Sequence, residues 1–419
     1  MTEHYFPQLL ISLVALLTTA KALGVVAQRL GQPSVVGELI AGVLLGASVL
    51  RLVDPLDPVV HSLAELGVLI LLFEIGLHTD LRSLMRVGKE AITVALIGVV
   101  LPFGFGYAVA MLFGTGAIPA IVIGASLTAT SIGISARTLS DLGRLGTSEG
   151  QIVLGAAVLD DIVGLVILSV VSGLVGGVAL SIGGVALTTG VAIGFVVVAI
   201  VLGSLVIPPV FRAIARVEAS GVLGVAGLVF AFLLAWVADA AGSATIIGAF
   251  SAGLVLHGTP QRTAIEKSAT DLGHFFVPIF FASVGAAVDI GTLADPRALG
   301  LGTALVLVGV LGKFAAGYGP VWYRGDKALI GIAMVPRGEV GLIFARMGLA
   351  TAALTSELYS AVALMVLVTT FLTPPLLAWR IRPADTEGPR DYPGAGGIDD
   401  LVAGSGTGER AVPPETREP

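Results

Sequence analysis

Residues 156–171 read AAVLDDIVGLVILSVV and place two adjacent acids, Asp160 and Asp161, inside an apolar stretch. No other charged residue occurs between Glu149 and Arg212. A carboxylate at the depth of a bilayer costs roughly 2.5–3.5 kcal/mol on insertion scales, and two neighbouring carboxylates repel each other. A chain keeps such a pair where it meets a cation, a proton or both. The stretch therefore predicts a membrane segment that handles ions.

The composition of the whole chain is that of a polytopic membrane protein. Of its 419 residues, 55% are hydrophobic and 12% are charged, and the mean hydropathy is +0.98, whereas a soluble globular chain carries about 25% charged residues. The chain has no cysteine, which excludes disulfides, thiolate metal sites and thiol catalysis. The N-terminal sequence MTEHYFPQLLISL lacks the basic segment of a signal peptide, so its apolar run is predicted to be a retained first helix.

An all-α fold of thirteen transmembrane helices is predicted when about 20 apolar residues are allowed per span. An odd number suits two inverted six-helix halves, at about 7–175 and 222–381, joined by a linker helix at about 180–206. Inverted repeats of this kind are typical of transporters. The predicted spans are 7–29, 33–50, 61–78, 88–113, 117–139, 149–175, 180–206, 222–241, 243–258, 269–287, 298–319, 326–348 and 356–381.

The chain thus divides into one transmembrane domain, 1–382, and a tail, 383–419. The tail is rich in Pro, Gly and acidic residues and has almost no bulky apolar ones, a composition that predicts disorder.

The basic residues of the loops predict the orientation. Every second loop is rich in Arg and Lys, whereas the opposite loops carry only Arg51 and Arg297. The positive-inside rule then places the N-terminus outside, the C-terminus and the tail in the cytoplasm, and the protein in the inner (plasma) membrane. The basic residues of the predicted cytoplasmic loops are Arg29, Arg82, Arg86, Lys89, Arg137, Arg144, Arg212, Arg216, Arg262, Lys267, Arg324, Lys327, Arg380 and Arg382.

Spans five and twelve occupy corresponding positions in the two halves, and both are unusual at mid-depth. Span five reads SLTATSIGIS, with hydroxyls at Thr128 and Thr130, and span twelve reads AMVPRGEVGL, in which Pro336 removes a backbone donor. Broken helices at corresponding positions indicate an ion site at the midplane, because freed carbonyls and half-helix ends supply dipoles there.

The acid pair and Lys313 are the leading candidates for chemistry. At 100° per residue, Asp160 and Asp161 cannot share one helix face, so one can face an ion cavity while the other meets a neighbouring helix. The alternative is a purely structural pair bonded to the helix breaks. Lys313, in VLGKFAAGYGP of span eleven, is predicted to pair with one of these acids, unless its amine extends to the cytoplasmic edge.

Other charged residues in the spans are assigned supporting roles. Arg337 and Glu339 are two residues apart and point in different directions, so each is predicted to satisfy another helix more than the ion itself. Glu74 is predicted either to line the cytoplasmic entrance or to pair with Arg137. Glu38 is predicted to be a helix-start carboxylate.

Motifs of enzymes and nucleotide binders do not occur in the sequence. No GxGxxG follows a strand, and there is no P-loop and no HExxH. The five histidines show no metal-ligand spacing. We therefore expect neither an enzyme nor a cofactor, and neither a nucleotide nor a nucleic acid as partner.

Taken together, these segments resemble the bacterial cation:proton antiporter superfamily, in its NapA-like and Kef-like branches, over roughly residues 30–350. Each segment alone is a weak signal, but the combination is specific. The matching segments are VVGELIAGVLLGASVL, LLFEIGLHTDL, TATSIGISARTL, VLDDIVGLVIL, IIGAFSAGLVLHG, VLGKFAAGYG and VPRGEVGLIFA.

The resemblance implies a thirteen-helix fold with a six-helix core domain and a dimerisation domain, a homodimer formed partly through the first helix, and elevator-like alternating access. It implies that Asp161 carries the ion and the proton and that Asp160 is the partner of Lys313. An Asp-Asp pair with a late Lys marks the electrogenic sodium/proton type of this superfamily. The short tail argues against the nucleotide-gated Kef type. Ala47 and Glu74 depart from the residues common in the family.

We therefore predict exchange of Na⁺ (or Li⁺) for protons by competition at one site. Asp161 and Asp160 would ligate the ion, Thr130 and Thr128 would assist, and Lys313 would couple the exchange to charge movement. K⁺/H⁺ exchange on the same fold is the main alternative. A channel is a weaker alternative, because paired broken helices favour a carrier. A sodium-coupled symporter of organic solutes is weaker because the Asp-Asp/Lys trio argues against it, and a membrane scaffold because nothing in it would offset the cost of the buried charges.

Overall fold

The computed structural model describes residues 5–46, 48–55, 57–175, 182–217, 221–287 and 296–381. The tail 383–419 and Ala47 lie outside the described residues, as does the start of the predicted linker helix. The sixteen helices are α1 Tyr5–Arg29, α2 Ser34–Leu45, α3 Pro58–His78, α4 Leu81–Arg86, α5 Gly88–Leu112, α6 Ala117–Ser126, α7 Ile132–Asp141, α8 Ser148–Val175, α9 Ile182–Ile214, α10 Val222–Ala240, α11 Thr245–His257, α12 Arg262–Ala286, α13 Pro296–Ala316, α14 Lys327–Ala333, α15 Glu339–Ala350 and α16 Ser356–Arg380.

The described helices account for the apolar stretches of the sequence. Nine of them are long and apolar enough to cross a membrane, which agrees with a polytopic membrane protein. Four shorter apolar helices accompany them, namely Ser34–Leu45, Ala117–Ser126, Thr245–His257 and Val340–Ala350. The total of thirteen spans stays a prediction.

Spans five and twelve are broken, as predicted. Span five divides into α6 and α7, and span twelve divides into α14 and α15. The break in span twelve contains Pro336, which has no N–H to donate, and ends at Gly338 in an extended conformation (φ −133°, ψ −151°).

The two halves of the chain repeat one order of helices. Each half runs through a long, a short, a long, a long, a broken and a long helix, from α1 to α8 and again from α10 to α16, with α9 between them and the small α4 added in the first half. This order supports the predicted division into two six-span repeats.

Some helix bounds differ from the prediction. Helix α2 ends at Leu45 instead of 50, because Gly46 leaves the helical conformation where the backbone of Ala286 approaches closely. Helix α9 continues to Ile214 through two prolines, whose fixed φ is compatible with a helix although each lacks a donor. Helix α4 was not predicted, although Asp80 caps it by accepting hydrogen bonds from the backbone N–H groups of Arg82 and Ser83.

The helices pack in two groups, each drawn equally from both halves. The scaffold helices are α1–α3 and α10–α12, and the core helices are α5–α8 and α13–α16. Packing is extensive within each group, for example between α3 and α12 or between α5 and α13, whereas the groups meet more sparsely, where α2 and α3 contact α7 and where α2 contacts α16. Helix α9 packs against α11 and α8 and so touches both groups.

Glycines let the scaffold helices approach backbone to backbone. A Cβ on Gly253 of α11 would lie 2.2 Å from the carbonyl oxygen of Phe73 on α3, and one on Gly76 of α3 would lie 2.3 Å from the carbonyl oxygen of Phe250. Small residues at such contacts are the usual means of close packing between helices in a membrane.

Replacing Gly253 with Ala should therefore lower the free energy of unfolding by about 1–3 kcal/mol, because the added methyl group overpacks this contact. Gly104→Ala on α5 is the matched control, since no atom lies within 4 Å of its added Cβ, and it should leave stability unchanged or slightly raised. Thermal unfolding of both variants in the same detergent tests this. A Gly253→Ala protein as stable as Gly104→Ala would contradict the close packing of α3 and α11.

Candidate ion-binding site

The two helix breaks meet in the core group. The backbone N–H of Ser131 donates to the carbonyl oxygen of Pro336 at 2.9 Å, and the hydroxyl of Ser135 donates to that of Ala333 at 2.5 Å. The C-terminal ends of α6 and α14 and the N-terminal ends of α7 and α15 thus converge. Helix ends carry partial charges of both signs, so this crossing can stabilise an ion and its carboxylate ligand inside a membrane.

Asp160 and Lys313 form an ion pair beside the breaks. The Nζ of Lys313 lies 2.5 Å from Oδ2 of Asp160, and both side chains have 0% exposure. The hydroxyl of Thr130 donates to the same carboxylate oxygen at 2.7 Å. The predicted pairing of Lys313 with an acid is thus present, and the acid is Asp160. Its role in transport stays a prediction.

Asp161 lies in a different environment from Asp160. The residue is 5% exposed, and it borders a narrow cavity at the surface of the core group. The rotation of about 100° between successive residues of a helix therefore separates the two acids as predicted, one in the ion pair and one at a cavity. The cavity is lined by Ala129, Thr130, Ser131, Ile132, Asp161, Ile246, Gly338 and Val340.

Arg337 is buried, with 0% exposure, and lies on carbonyl oxygens at the end of α14. Its Nη1 donates to Val335 at 2.7 Å and to Met334 at 3.3 Å, and its Nη2 donates to Gly309 on α13 at 3.2 Å. A positive charge at a helix C-terminus is favourable. The guanidinium therefore supports the break in span twelve, in line with the supporting role expected of it, while the side chain of Glu339 lies outside the described part.

Two other predicted residues lie away from the cavity. Thr128 is buried, but its hydroxyl donates to the carbonyl oxygen of Ala125 at 2.7 Å and closes the end of α6. Glu74 accepts a hydrogen bond from Thr270 on α12 at 2.8 Å. Its predicted pairing with Arg137 is wrong, because the ion-pair partner of Arg137 is Asp141, one turn along α7.

Sequence reasoning missed several residues of the cavity lining. Gly338 is the clearest of them, since a Cβ there would lie 2.9 Å from the Oγ of Ser131. Its position after Pro336 and Arg337 indicates a helix break. The sequence does not show that this glycine meets Ser131, because the other break lies about half the chain away. Ile246 comes from the scaffold group, and nothing in its local sequence indicates proximity to Asp161.

The chemistry of the site fits a hard monovalent cation and a proton. Carboxylate, hydroxyl and carbonyl oxygens are the ligands that such ions prefer, and Asp161, Thr130 and Ser131 bring oxygens to the cavity. Oδ1 of Asp160 is buried and has no hydrogen-bond partner among the described atoms, whereas Asp160 is not among the residues that line the cavity. Among the described residues, no cluster of His, Cys, Asp and Glu could hold a resident metal ion.

Crossed broken helices around buried charges define this fold and site as those of a membrane transporter. The profile of the family described as "Sodium/hydrogen exchanger, transmembrane" matches residues 12–379, nearly the whole described chain. The chain belongs to this family, whose members are transporters and not enzymes.

Two relatives support this assignment, and a solved structure shares the fold. The high-affinity Na⁺/H⁺ antiporter NhaS3 of Synechocystis is 40% identical over 409 residues, covering 88% of each chain. The Na⁺/H⁺-K⁺ antiporter GerN of Bacillus cereus is 34% identical, covering 88% of this chain and 95% of GerN. The sodium proton antiporter MjNhaP1 of Methanocaldococcus jannaschii has the same fold, with a TM-score of 0.65 at 17% identity over 89% of this chain and 97% of its own.

The ion pair should dominate the stability of the core group. Asp160→Asn or Lys313→Gln alone should lower the free energy of unfolding by about 3 kcal/mol, because each leaves a buried charge without its partner. The double variant should lose clearly less than the sum of the two, since no lone charge remains. Denaturant titration in mixed micelles measures all four proteins. Additive losses would mean that the two side chains do not interact.

Proposed function

We propose that the protein exchanges Na⁺ (or Li⁺) for protons across the plasma membrane by alternating access, with Asp161 as the shared ion and proton site. The proposal rests on one observation, the different environments of the two acids. Asp160 is sealed in an ion pair with Lys313, while Asp161 borders a cavity at the crossing of the broken helices. The names of NhaS3 and GerN support Na⁺ and H⁺ as the exchanged ions.

The exchange follows from competition between a proton and a cation for the same oxygens. With the cavity open to the cytoplasm, Asp161 releases its proton and binds Na⁺ with Thr130, Asp160 and water. The core helices then carry the ion to the other side, where protons displace it. If the core moved while Asp161 carried neither a proton nor a cation, protons would cross without exchange. The cost of moving an uncompensated carboxylate through the membrane must therefore keep the core from moving in that state.

Charge movement depends on Lys313. A cation near Asp160 weakens the attraction between that carboxylate and the ammonium group, so Lys313 can release its proton as Na⁺ arrives. If Asp161 and Lys313 each carry one proton and one monovalent cation moves the other way, each cycle transfers one net charge. The exchange would then be electrogenic.

Exchange of K⁺ is the second candidate, because GerN is named a Na⁺/H⁺-K⁺ antiporter. The oxygens at the cavity would accept either ion, and selectivity would depend on how far the cavity lets the ion keep its water.

The arrangement of the molecule in the membrane is also part of the proposal. The basic loops support an outside N-terminus and a cytoplasmic C-terminus. The transmembrane antiporter domain would span 1–382, with the scaffold helices as the dimerisation domain of a homodimer and 383–419 as a disordered cytoplasmic tail. A cation/proton exchanger in the plasma membrane would serve pH homeostasis.

Asp161→Asn should abolish exchange, because an amide neither carries a proton nor offsets the charge of a cation. Lys313→Gln should retain some exchange but lose charge movement. Both are measured in proteoliposomes loaded with a pH dye, with Na⁺, Li⁺ or K⁺ added outside and with or without a valinomycin/K⁺ clamp on the membrane potential.

The control in this assay is Glu65→Gln, which removes an exposed carboxylate of α3 that pairs with His61 one turn earlier, and it should exchange ions as the parent does. Exchange at the parent rate by the Asp161→Asn protein would refute the assignment. Proton movement driven by K⁺ alone in the parent would transfer the proposal to K⁺/H⁺ exchange.

The two threonines of the first break should differ in importance. Thr130→Val removes a hydroxyl that bonds Asp160 and borders the cavity, so it should raise the apparent KM for Na⁺ about tenfold or more, as expected for a lost hydrogen bond to a charged group. Thr128→Val, which removes a hydroxyl bonded to Ala125, should change the KM much less. Equal effects of the two variants in the same assay would place Thr128 among the ion ligands after all.

A further inference from the structure

Polar contacts tie the core helix α7 to the start of the scaffold helix α2. Oδ2 of Asp141, at the end of α7, accepts hydrogen bonds from the backbone N–H of Ser34 at 3.1 Å and from its hydroxyl at 2.9 Å. Arg137, one turn earlier, has its Nε 3.0 Å from Oδ1 of Asp141, and its Nη2 donates to the hydroxyl of Ser34 at 3.3 Å. These three residues form a closed network across a boundary where the two groups otherwise touch sparsely.

The network also completes the end of α2. The residue before this helix is Pro33, and no side chain nearby in sequence caps its first N–H groups. Such groups need an acceptor, and a negative charge is favoured at a helix N-terminus. Asp141 supplies both from another helix. The side chains of Arg137 and Asp141 are 21% and 18% exposed, so most of their surface is covered by protein.

Helix α7 connects this network to the ion site. It begins at Ile132, which borders the cavity together with Ser131, and it ends at Asp141. The cavity also includes Ile246, near the start of α11. In the proposed orientation, the start of α11 lies toward the outside, whereas Ser34 and Asp141 lie at the cytoplasmic side. The core is thus joined to the scaffold on the cytoplasmic side while Asp161 lies beside the outer part of α11.

We propose that Ser34, Arg137 and Asp141 form a latch that holds the core helices in the outward-facing state and must open before Asp161 can face the cytoplasm. This inference rests on the proposed exchange by alternating access. The latch residues lie outside the cavity lining, so they are positioning residues. Sliding α7 along α2 breaks their hydrogen bonds, and the balance between the two states then depends on the strength of the latch.

Distances between spin labels test the latch without requiring transport. The chain contains no cysteine, so Gly146→Cys on the core and Thr263→Cys on the scaffold give one label on each group. Both positions are exposed, and Gly146 has no atom near the place of an added Cβ. Double electron–electron resonance on the full chain in lipid nanodiscs yields the distribution of distances between the labels.

Asp141→Ala should raise the population of a second distance relative to the first by about fivefold or more, the size typical of coupling between states. Ser34→Ala should shift the distribution in the same direction by less, because the bond to the backbone N–H remains. Ser34→Ala loses a single hydroxyl, so it gives a result even if Asp141→Ala does not fold.

The matched control is Asp326→Ala. Asp326 accepts a hydrogen bond from the backbone N–H of Leu329 at the start of α14 and pairs with Arg380 at 2.9 Å, but all of these contacts lie inside the core group. It should leave the distances unchanged. The latch is overturned by parent-like distances in both latch variants, or by an equal shift in the control. A parent that exchanges no ions would instead refute the proposed function, and the distances would still decide about the latch.

Discussion

A lysine and an aspartate without exposed surface, Lys313 and Asp160, meet across the two halves of the chain. Either charge alone would be expensive to bury, so the pair requires α13 of the second half to lie within side-chain reach of α8 of the first half, with α5 packed against both. Thr130, from the first helix break, adds a donor to the same carboxylate oxygen. One ion pair thereby fixes the relative position of three core elements, and the remaining core helices pack around them.

The helix breaks have a related origin. A break inside a membrane leaves backbone groups without partners, which is tolerated where protein supplies them. Here each break partly satisfies the other, through Ser131 and Pro336, while Arg337 covers carbonyl oxygens at the end of α14. Each break thus contributes to the stability of the other, and the two halves carry their breaks at the same place in their order of helices.

Much of this architecture could be predicted from the sequence, because membrane burial makes charges and breaks conspicuous. Single positions in the sequence identify the acids at 160 and 161, the lysine at 313 and the proline at 336. The lengths of the apolar stretches predict the helices. Contacts between distant segments are different. The choice of Asp160 as the partner of Lys313 depends on helix rotation, and the place of Ile246 at the cavity depends on how the two groups meet. The pair of Arg137 and Asp141, by contrast, has an i,i+4 spacing on one helix that the sequence already shows.

In the proposed exchange, the separation of the two adjacent acids lets one carboxylate stay in a buried ion pair while the other binds and releases the ion. If Asp161 were the only charged residue of the core, no opposite charge would lie near its carboxylate after the loss of both proton and cation. In the proposed mechanism the ion pair would supply that charge, because Asp160 could turn an oxygen toward a cation while Lys313 released or regained a proton. The cost of burying an unmatched charge would then oppose movement of the core in a state that carries neither a proton nor a cation. In the proposed mechanism, tight coupling would follow from the same desolvation energy that makes the ion pair structurally necessary.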